Sequence, residues 1–432
     1  MKNQEKLTNL KALKLIFFIF VFGLGIFGLL FAITVTNNNI IQKTAEKNVK
    51  DLEYVRSPFA IEFQIKNTNN LKFIYALSHF DSVGVLENKN SLNEIETESE
   101  IENQGTQEIR EANNIVSVLD FFTKSFNNEN IIFMADTNIK IGNQNLAFKN
   151  LSKSKYKMLF EDKFTYNTTL STTIVNEFVN PYDKFIYFLN NDYYLADKES
   201  YQDIEKIIVP NFENGFAINI YNTLDNKSYS KGIGIIDYID GLYQNKLNGF
   251  VRNTISDHLP IGFDLTYFNQ NKNISKIRIG GWNASNFNLK TDNLIEVNIS
   301  EKDNLYFKKQ LHAINIAKII SYSQFDLVGL LEINKNTSEK DLTYFLSYLN
   351  SLVKNSEIYY DAILSENTPA INQDSNQIEQ VLLIYNKNKI ITNFINKAIF
   401  YQFHLSNYLI LINSFLTVNK EKSFIKEVYF EK

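Results

Sequence analysis

The sequence predicts a mixed α/β domain with a sheet-on-sheet core and helices outside it, preceded by one transmembrane helix. Three observations lead there. Short apolar runs recur along the chain with an acid or an amide beside them; two stretches with helical spacing each feed such a run; and residues 15–35 are almost unbrokenly apolar. A chain of 432 residues with 44% hydrophobic and 14% aromatic side chains has ample material for one large core, which excludes a disordered protein.

Charge and cysteine usage narrow the chemistry. A net charge of −4 gives no global attraction to nucleic acid, so phosphate recognition requires a local basic cleft or a metal ion. With no cysteine, disulfides, thiolate metal sites, cysteine nucleophiles and an acylated N-terminal cysteine are all excluded.

Residues 15–36 have the length to cross a bilayer, and Lys2, Lys6, Lys11 and Lys14 precede them. The positive-inside rule places residues 1–14 in the cytoplasm and the domain outside the cell; a cleaved signal peptide is the alternative. Residues 37–51 read as a polar spacer, and residues 52–432 as the domain. Alternating patterns at 56–63 and 71–77 predict two strands, with His79 at the end of the second. The acidic tract at 87–102, with Glu94, Glu96, Glu98, Glu100 and Glu102, reads as a solvated loop. Ile109, Ala112, Ile115, Val116, Leu119, Phe122 and Phe126 predict an amphipathic helix over 108–126 that feeds a strand ending at Asp136. A second helix over 306–321, with Leu311, Ile314, Ile319 and Ile320 inward, feeds a strand ending at Glu332. Residues 191–250 read as an elaboration of the same domain, and 391–432 as added strands.

Five strings carry chemistry: Ala135, Asp136, Thr137, Asn138; Tyr182, Asp183, Lys184; Ser256, Asp257, His258; Gly281, Trp282, Asn283; and Leu330, Leu331, Glu332. Together they resemble the endonuclease/exonuclease/phosphatase (DNase I-like) superfamily, and most closely the membrane nucleases of mycoplasmas. The resemblance covers residues 56–267 and 277–390 and implies a four-layer αββα sandwich. The order of the strings is circularly permuted relative to the family: 52–268 corresponds to its C-terminal half and 277–390 to its N-terminal half. The polar run 269–273 has the length and turn chemistry to join the two. Three departures stand out: Ala135 replaces a glycine, Leu331 replaces a frequent glutamine, and no acid stands two residues after Asn283.

The resemblance implies a metal-dependent nuclease acting on DNA and, secondarily, on RNA. A phosphodiester needs charge neutralisation, an activated water and a proton for the departing oxygen. Mg²⁺ or Mn²⁺, with Ca²⁺ as a further candidate, would be held by Glu332 as primary ligand, with Asn283 and Asp257. His258, oriented by Asp183, and Asp136 with Asn138 would face the attacking water; which of His258 and Asp136 removes the proton is open. His79, partnered by Glu379, would protonate the leaving group, and Arg56 would grip phosphate. Rival readings are a sphingomyelinase-like or inositol-phosphate enzyme, which would dock lipid through an exposed hairpin at 212–221; a catalytically inactive surface binding protein; and two chains completing each other by exchanging halves. No obligate protein partner is implied.

Overall fold

The computed structural model describes residues 54–85, 97–209, 212, 215–225, 244–289, 305–335, 337–368, 378–392 and 399–400. The expected membrane anchor, the spacer, most of the acidic tract, and residues 401–432 lie outside them. Among the described residues no helix is long and apolar enough to cross a membrane.

In chain order, β1 (Phe59–Ile65) and β2 (Lys72–His79) form an antiparallel hairpin. Helix α1 (Thr106–Phe126) then carries the chain back so that β3 (Ile131–Asp136) lies parallel to β2. Next come β4 (Lys157–Leu159), β5 (Asp183–Phe188), β6 (Tyr193–Leu195), β7 (Phe216–Ala217) and helix α2 (Gln244–Thr254). Strands β8 (Ile261–Phe268) and β9 (Ile274–Phe287) pair antiparallel, with Phe268 opposite Ile274. The turn between them, where Asn269 N–H donates to the Asn273 carbonyl at 2.9 Å, is the polar run expected to join two strands. Helix α3 (Leu305–Ser323), β10 (Leu327–Asn334), helix α4 (Glu339–Leu352), β11 (Tyr360–Leu364), β12 (Glu379–Asn386), β13 (Ile390–Thr392) and β14 (Ile399–Phe400) follow. One sheet has the order β13-β1-β2-β3-β5-β4 with β14 also on β1; the other has β11-β12-β10-β9-β8-β6 with β7 also on β8.

Period-two alternation decides what each sheet face meets. Phe59, Ile61, Phe63, Phe73, Tyr75, Leu77, Ile132, Met134 and Phe185 share one buried cluster with Phe263, Ile277, Ile279 and Leu383 of the second sheet. Their alternates Ala60, Ile74, Ala76, Ile131, Phe133, Ala135 and Ile186 pack instead with Ile109, Ala112, Ile115, Leu119 and Phe122 of α1. Where the sheets meet, side chains of the first press on the glycine backbone of the second. A Cβ on Gly281 would lie 2.2 Å from Met134 Cγ, and one on Gly329 would lie 2.6 Å from both Leu77 methyls. The Tyr75 hydroxyl crosses the gap to donate to the Gly280 carbonyl.

The two expected helices form, and Leu311, Ile314, Ile319 and Ile320 are buried as their spacing predicts. Helix α4 was not expected, although its signals are plain. Ser338 and Asp341 form a capping box, and Leu342, Phe345, Leu346 and Leu349 make a buried stripe. Of the stretch 191–250, β6 and β7 add to the sheet by pairing with β8. The exposed hairpin at 212–221 is overturned. Phe212, Phe216 and Tyr221 are 3%, 0% and 6% exposed, because β7 joins the sheet and its aromatic rings fill the core.

Candidate active site

Four rows of inward-facing side chains end in a polar group at the same pole. Tyr75 and Leu77 lead to His79, Met134 leads to Asp136, Ile279 and Gly281 lead to Asn283, and Glu379 precedes Val381 and Leu383. Asp183, which the sequence sets beside an apolar run, opens β5. Since β5 runs antiparallel to β3, with Asp136 opposite Asp183, its start lies at the pole where β3 finishes. Glu379 opens β12, antiparallel to β10, and reaches the pole in the same way.

Local backbone conformation aims these groups. Asn138 has φ +52°, a left-handed turn that asparagine tolerates, and its N–H meets Asp136 Oδ1 at 3.2 Å. This turn, not Ala135, redirects the chain. Ala135 sits in regular register between Ser78 and Lys184 and packs in the cluster that faces α1, so no turn is asked of it. Glu332, at φ +58°, occupies a register shift in β10, and Ser285 and Asn286 (φ +51° and +55°) lie within the matching shift in β9. A bulge re-aims a side chain. Asn286 N–H accordingly donates to Glu332 Oε2 at 2.9 Å.

Asp136 Oδ2 is the hub. His258 Nε2 lies 3.5 Å from it and His79 Nε2 3.6 Å, and Asn283 Nδ2 donates to it at 2.8 Å. Each imidazole has a second carboxylate at its other nitrogen: Asp183 Oδ2 stands 2.8 Å from His258 Nδ1, and Glu379 Oε2 stands 3.3 Å from His79 Nδ1. His79 Nε2 is also 3.6 Å from Glu332 Oε1. The same Asn283 amide reaches Glu332 Oε1 at 2.9 Å. Its orientation is fixed, because Ser285 N–H donates to Asn283 Oδ1 at 2.9 Å. Asn283 thus presents N–H groups, not an oxygen, to the two carboxylates.

The two rings titrate in opposite directions. Burial disfavours the charged form of His258, but Asp183 and Asp136 outweigh it and hold its pKa well above the usual histidine value. Burial, then the nearby Arg56, push His79 down to about 4, despite Glu332 and Asp136. Burial lifts Glu379 to about 7.

Two expected residues stand apart from their assigned partners. Asp257 lies beside His258, but its carboxylate turns to Arg252 at 3.0 Å; burial opposes its ionisation, while His258 and Arg252 hold its pKa down. Arg56 donates through Nη1 to the Phe80 carbonyl at 2.9 Å, and its Nε lies 3.5 Å from Glu379 Oε2, a charge contact and not an aligned hydrogen bond. The Phe80 carbonyl also accepts from Asn138 Nδ2 at 3.3 Å. Of the other histidines, His312 is buried against the Ala284 carbonyl and is structural; His404 lies outside the described residues. The sequence reading missed Thr168, bonded to Asp183, and named Ser256 without a role; its hydroxyl donates to the Asn283 carbonyl and accepts from the His258 N–H.

Asp136, Asp183 and His258 offer ligand atoms within 4.8 Å of one another and could hold a metal ion. Their geometry favours another use, since the two carboxylates face opposite nitrogens of one ring. Glu332 is better suited to a hard cation. A fifth of its side chain reaches solvent, and Asp136 shares its amide donor, so two carboxylates and water would supply the oxygen shell that Mg²⁺ or Mn²⁺ prefers.

No family model matches the chain. It is similar, at 38% identity over 136 residues, to an uncharacterized protein of Mycoplasma pneumoniae. The match covers 31% of this chain and 26% of that protein, so the chain spans about a quarter of the relative's length.

Proposed function

We propose that this chain is a metal-dependent phosphodiesterase of the DNase I-like superfamily, a circularly permuted four-layer αββα sandwich that cleaves DNA and, secondarily, RNA. The observation that carries the reading is the pair of imidazoles, each backed by its own carboxylate, facing one oxygen of Asp136 beside Glu332. Both halves contribute to it: His79, Asp136 and His258 from one, Asn283, Glu332 and Glu379 from the other.

A bound Mg²⁺ or Mn²⁺ at Glu332 and Asp136 would neutralise phosphate charge and stabilise the departing oxygen. The remaining work belongs to side chains. With a carboxylate at each nitrogen, His258 is held as an imidazolium and meets developing negative charge; that leaves Asp136 to take the proton from water. His79 sits on the other side of the Asp136 oxygen. A phosphate arriving beside it raises its proton affinity, which suits it to protonate the leaving oxygen. Asn138, tied to the Phe80 carbonyl that also holds Arg56, would steady Asp136 through its N–H. Anchoring by residues 15–36, with the domain outside the cell, belongs to the same proposal.

The test is incubation of the full chain, purified in detergent, with supercoiled plasmid and Mg²⁺, Mn²⁺ or Ca²⁺. Nicking that disappears with EDTA and in His258→Ala is expected. Intact plasmid from folded protein with every metal would sink the nuclease reading.

A further inference from the structure

We infer that Thr168 is a positioning residue for the His258–Asp183 pair, a role that rests on the phosphodiesterase reading above. Thr168 is fully buried, in the loop segment before β5. Its hydroxyl donates to Asp183 Oδ2 at 2.6 Å and accepts from Asp183 N–H at 3.2 Å. Its main chain is held as well: Thr168 N–H donates to the Asn180 carbonyl, and the Thr168 carbonyl accepts from Leu259 N–H, each at 2.8 Å. One residue thus grips the carboxylate that orients the histidine and, through the backbone, the peptide that follows the histidine.

What the hydroxyl adds is a choice between two oxygens. Asp183 Oδ2 receives both Thr168 and His258 Nδ1, while Asp183 Oδ1 is buried with no hydrogen-bond partner among the described residues. Without the hydroxyl the carboxylate has no second anchor in its plane. It then rotates about its last bond and shares His258 between the two oxygens, loosening the ring whose other nitrogen faces Asp136. A constellation displaced by about 1 Å loses rate while substrate binding survives. Neighbouring Thr169 does not do this, because its hydroxyl faces the Asn180 backbone instead.

Thr168→Val keeps the shape and removes the hydroxyl; Thr168→Ser restores the hydroxyl in a smaller side chain. With a fluorogenic oligonucleotide and Mg²⁺, the full chain carrying Thr168→Val should lose about 10- to 100-fold in kcat with KM within about threefold, and Thr168→Ser should recover most of that loss. In ¹⁵N-histidine spectra, the His258 Nδ1 proton, assigned by its loss in His258→Gln, should shift in the valine variant and return in the serine variant. Unchanged kcat with an unmoved Nδ1 proton, or a rise in KM alone, overturns the inference. If the wild type cleaves nothing, the nuclease reading fails by itself, and the Nδ1 proton still decides whether Thr168 sets the ring. If Thr168→Val does not fold, serine and alanine carry the comparison: equal activity and equal Nδ1 shifts in those two also overturn it.

Discussion

Asn283 offers the sharpest probe of the site, because one amide nitrogen separates two carboxylates. It lies 2.8 Å from Asp136 Oδ2 and 2.9 Å from Glu332 Oε1, with its oxygen committed to Ser285 N–H. Asn283→Asp replaces that N–H donor by an oxygen of nearly the same size. The new oxygen then faces one oxygen of each carboxylate at under about 3 Å, and each of these two new pairs costs about 6 kcal/mol at an effective dielectric of about 20. The site will take up a proton or shift before bearing the sum, so about 3–5 kcal/mol of lost stability is the expectation, the size seen when a buried charge loses its partner. A divalent cation reverses the sign of that interaction. Thermal unfolding of wild type and variant, each in EDTA and in millimolar Mg²⁺ or Mn²⁺, reads both effects. The variant should melt well below wild type in EDTA and gain more from metal than wild type does. Equal melting in EDTA, or a metal-induced gain no larger than that of wild type, would mean that the two carboxylates do not share this space and that the cation does not bind between them.

Two further outcomes follow from groups around the site. Glu111 is fully buried on the inner face of α1, accepting N–H groups from Val55, Asp81 and Gln107; burial first, then Asp81, raise its pKa from 4.5 to about 8. Between those values the folded state holds a proton that the unfolded state has released, so stability is fully present below about 4.5 and falls as pH rises to about 8. The fall should amount to roughly 3–5 kcal/mol in urea titrations, and Glu111→Gln should flatten it; stability that is level or rising over that window refutes the assignment. Arg56 is tied to the Phe80 carbonyl and Glu379, so Arg56→Gln should lower kcat about tenfold with KM within about threefold. A tenfold rise in KM at constant kcat, with a salt slope smaller by about one, would show the guanidinium leaving Glu379 to grip phosphate.

How much of this was legible in the sequence depended on the range of the signal. The strands leading to His79 and Asp136, and both expected helices, are written in local periodicity, and tertiary packing agrees with it. Helix α4 was equally local and was overlooked, since its box ends in Asp341 and not in the more usual glutamate. The 212–221 hairpin failed for a different reason. Its aromatic residues read alike whether they face lipid or a core, and only the pairing of Phe216 with Gly262 decides. Thr168 was illegible because a threonine in a loop carries no period, and its partner lies 15 residues away across a turn. The amide orientation of Asn283 depends on one backbone N–H two residues on, in a bulge that no propensity announces.

The permuted order that the proposed family membership implies has a physical reason to be harmless. The site requires that particular strand ends reach one pole: the C-terminal ends of β2, β3 and β9, and the N-terminal ends of β5, β8 and β12. Direction and register in the sheets fix this, and neither depends on which segment is synthesised first. The turn at 269–273 joins β8 to β9 at the far end of strands that begin beside His258 and finish at Asn283 and beyond. At about 3.3 Å per residue, the eight residues of β8 put that join roughly 26 Å from the imidazole, too far to strain it. The connection therefore acts on how the chain closes its sheets, while the distances around Asp136 are set by the β9 and β10 bulges and the turn at Asn138.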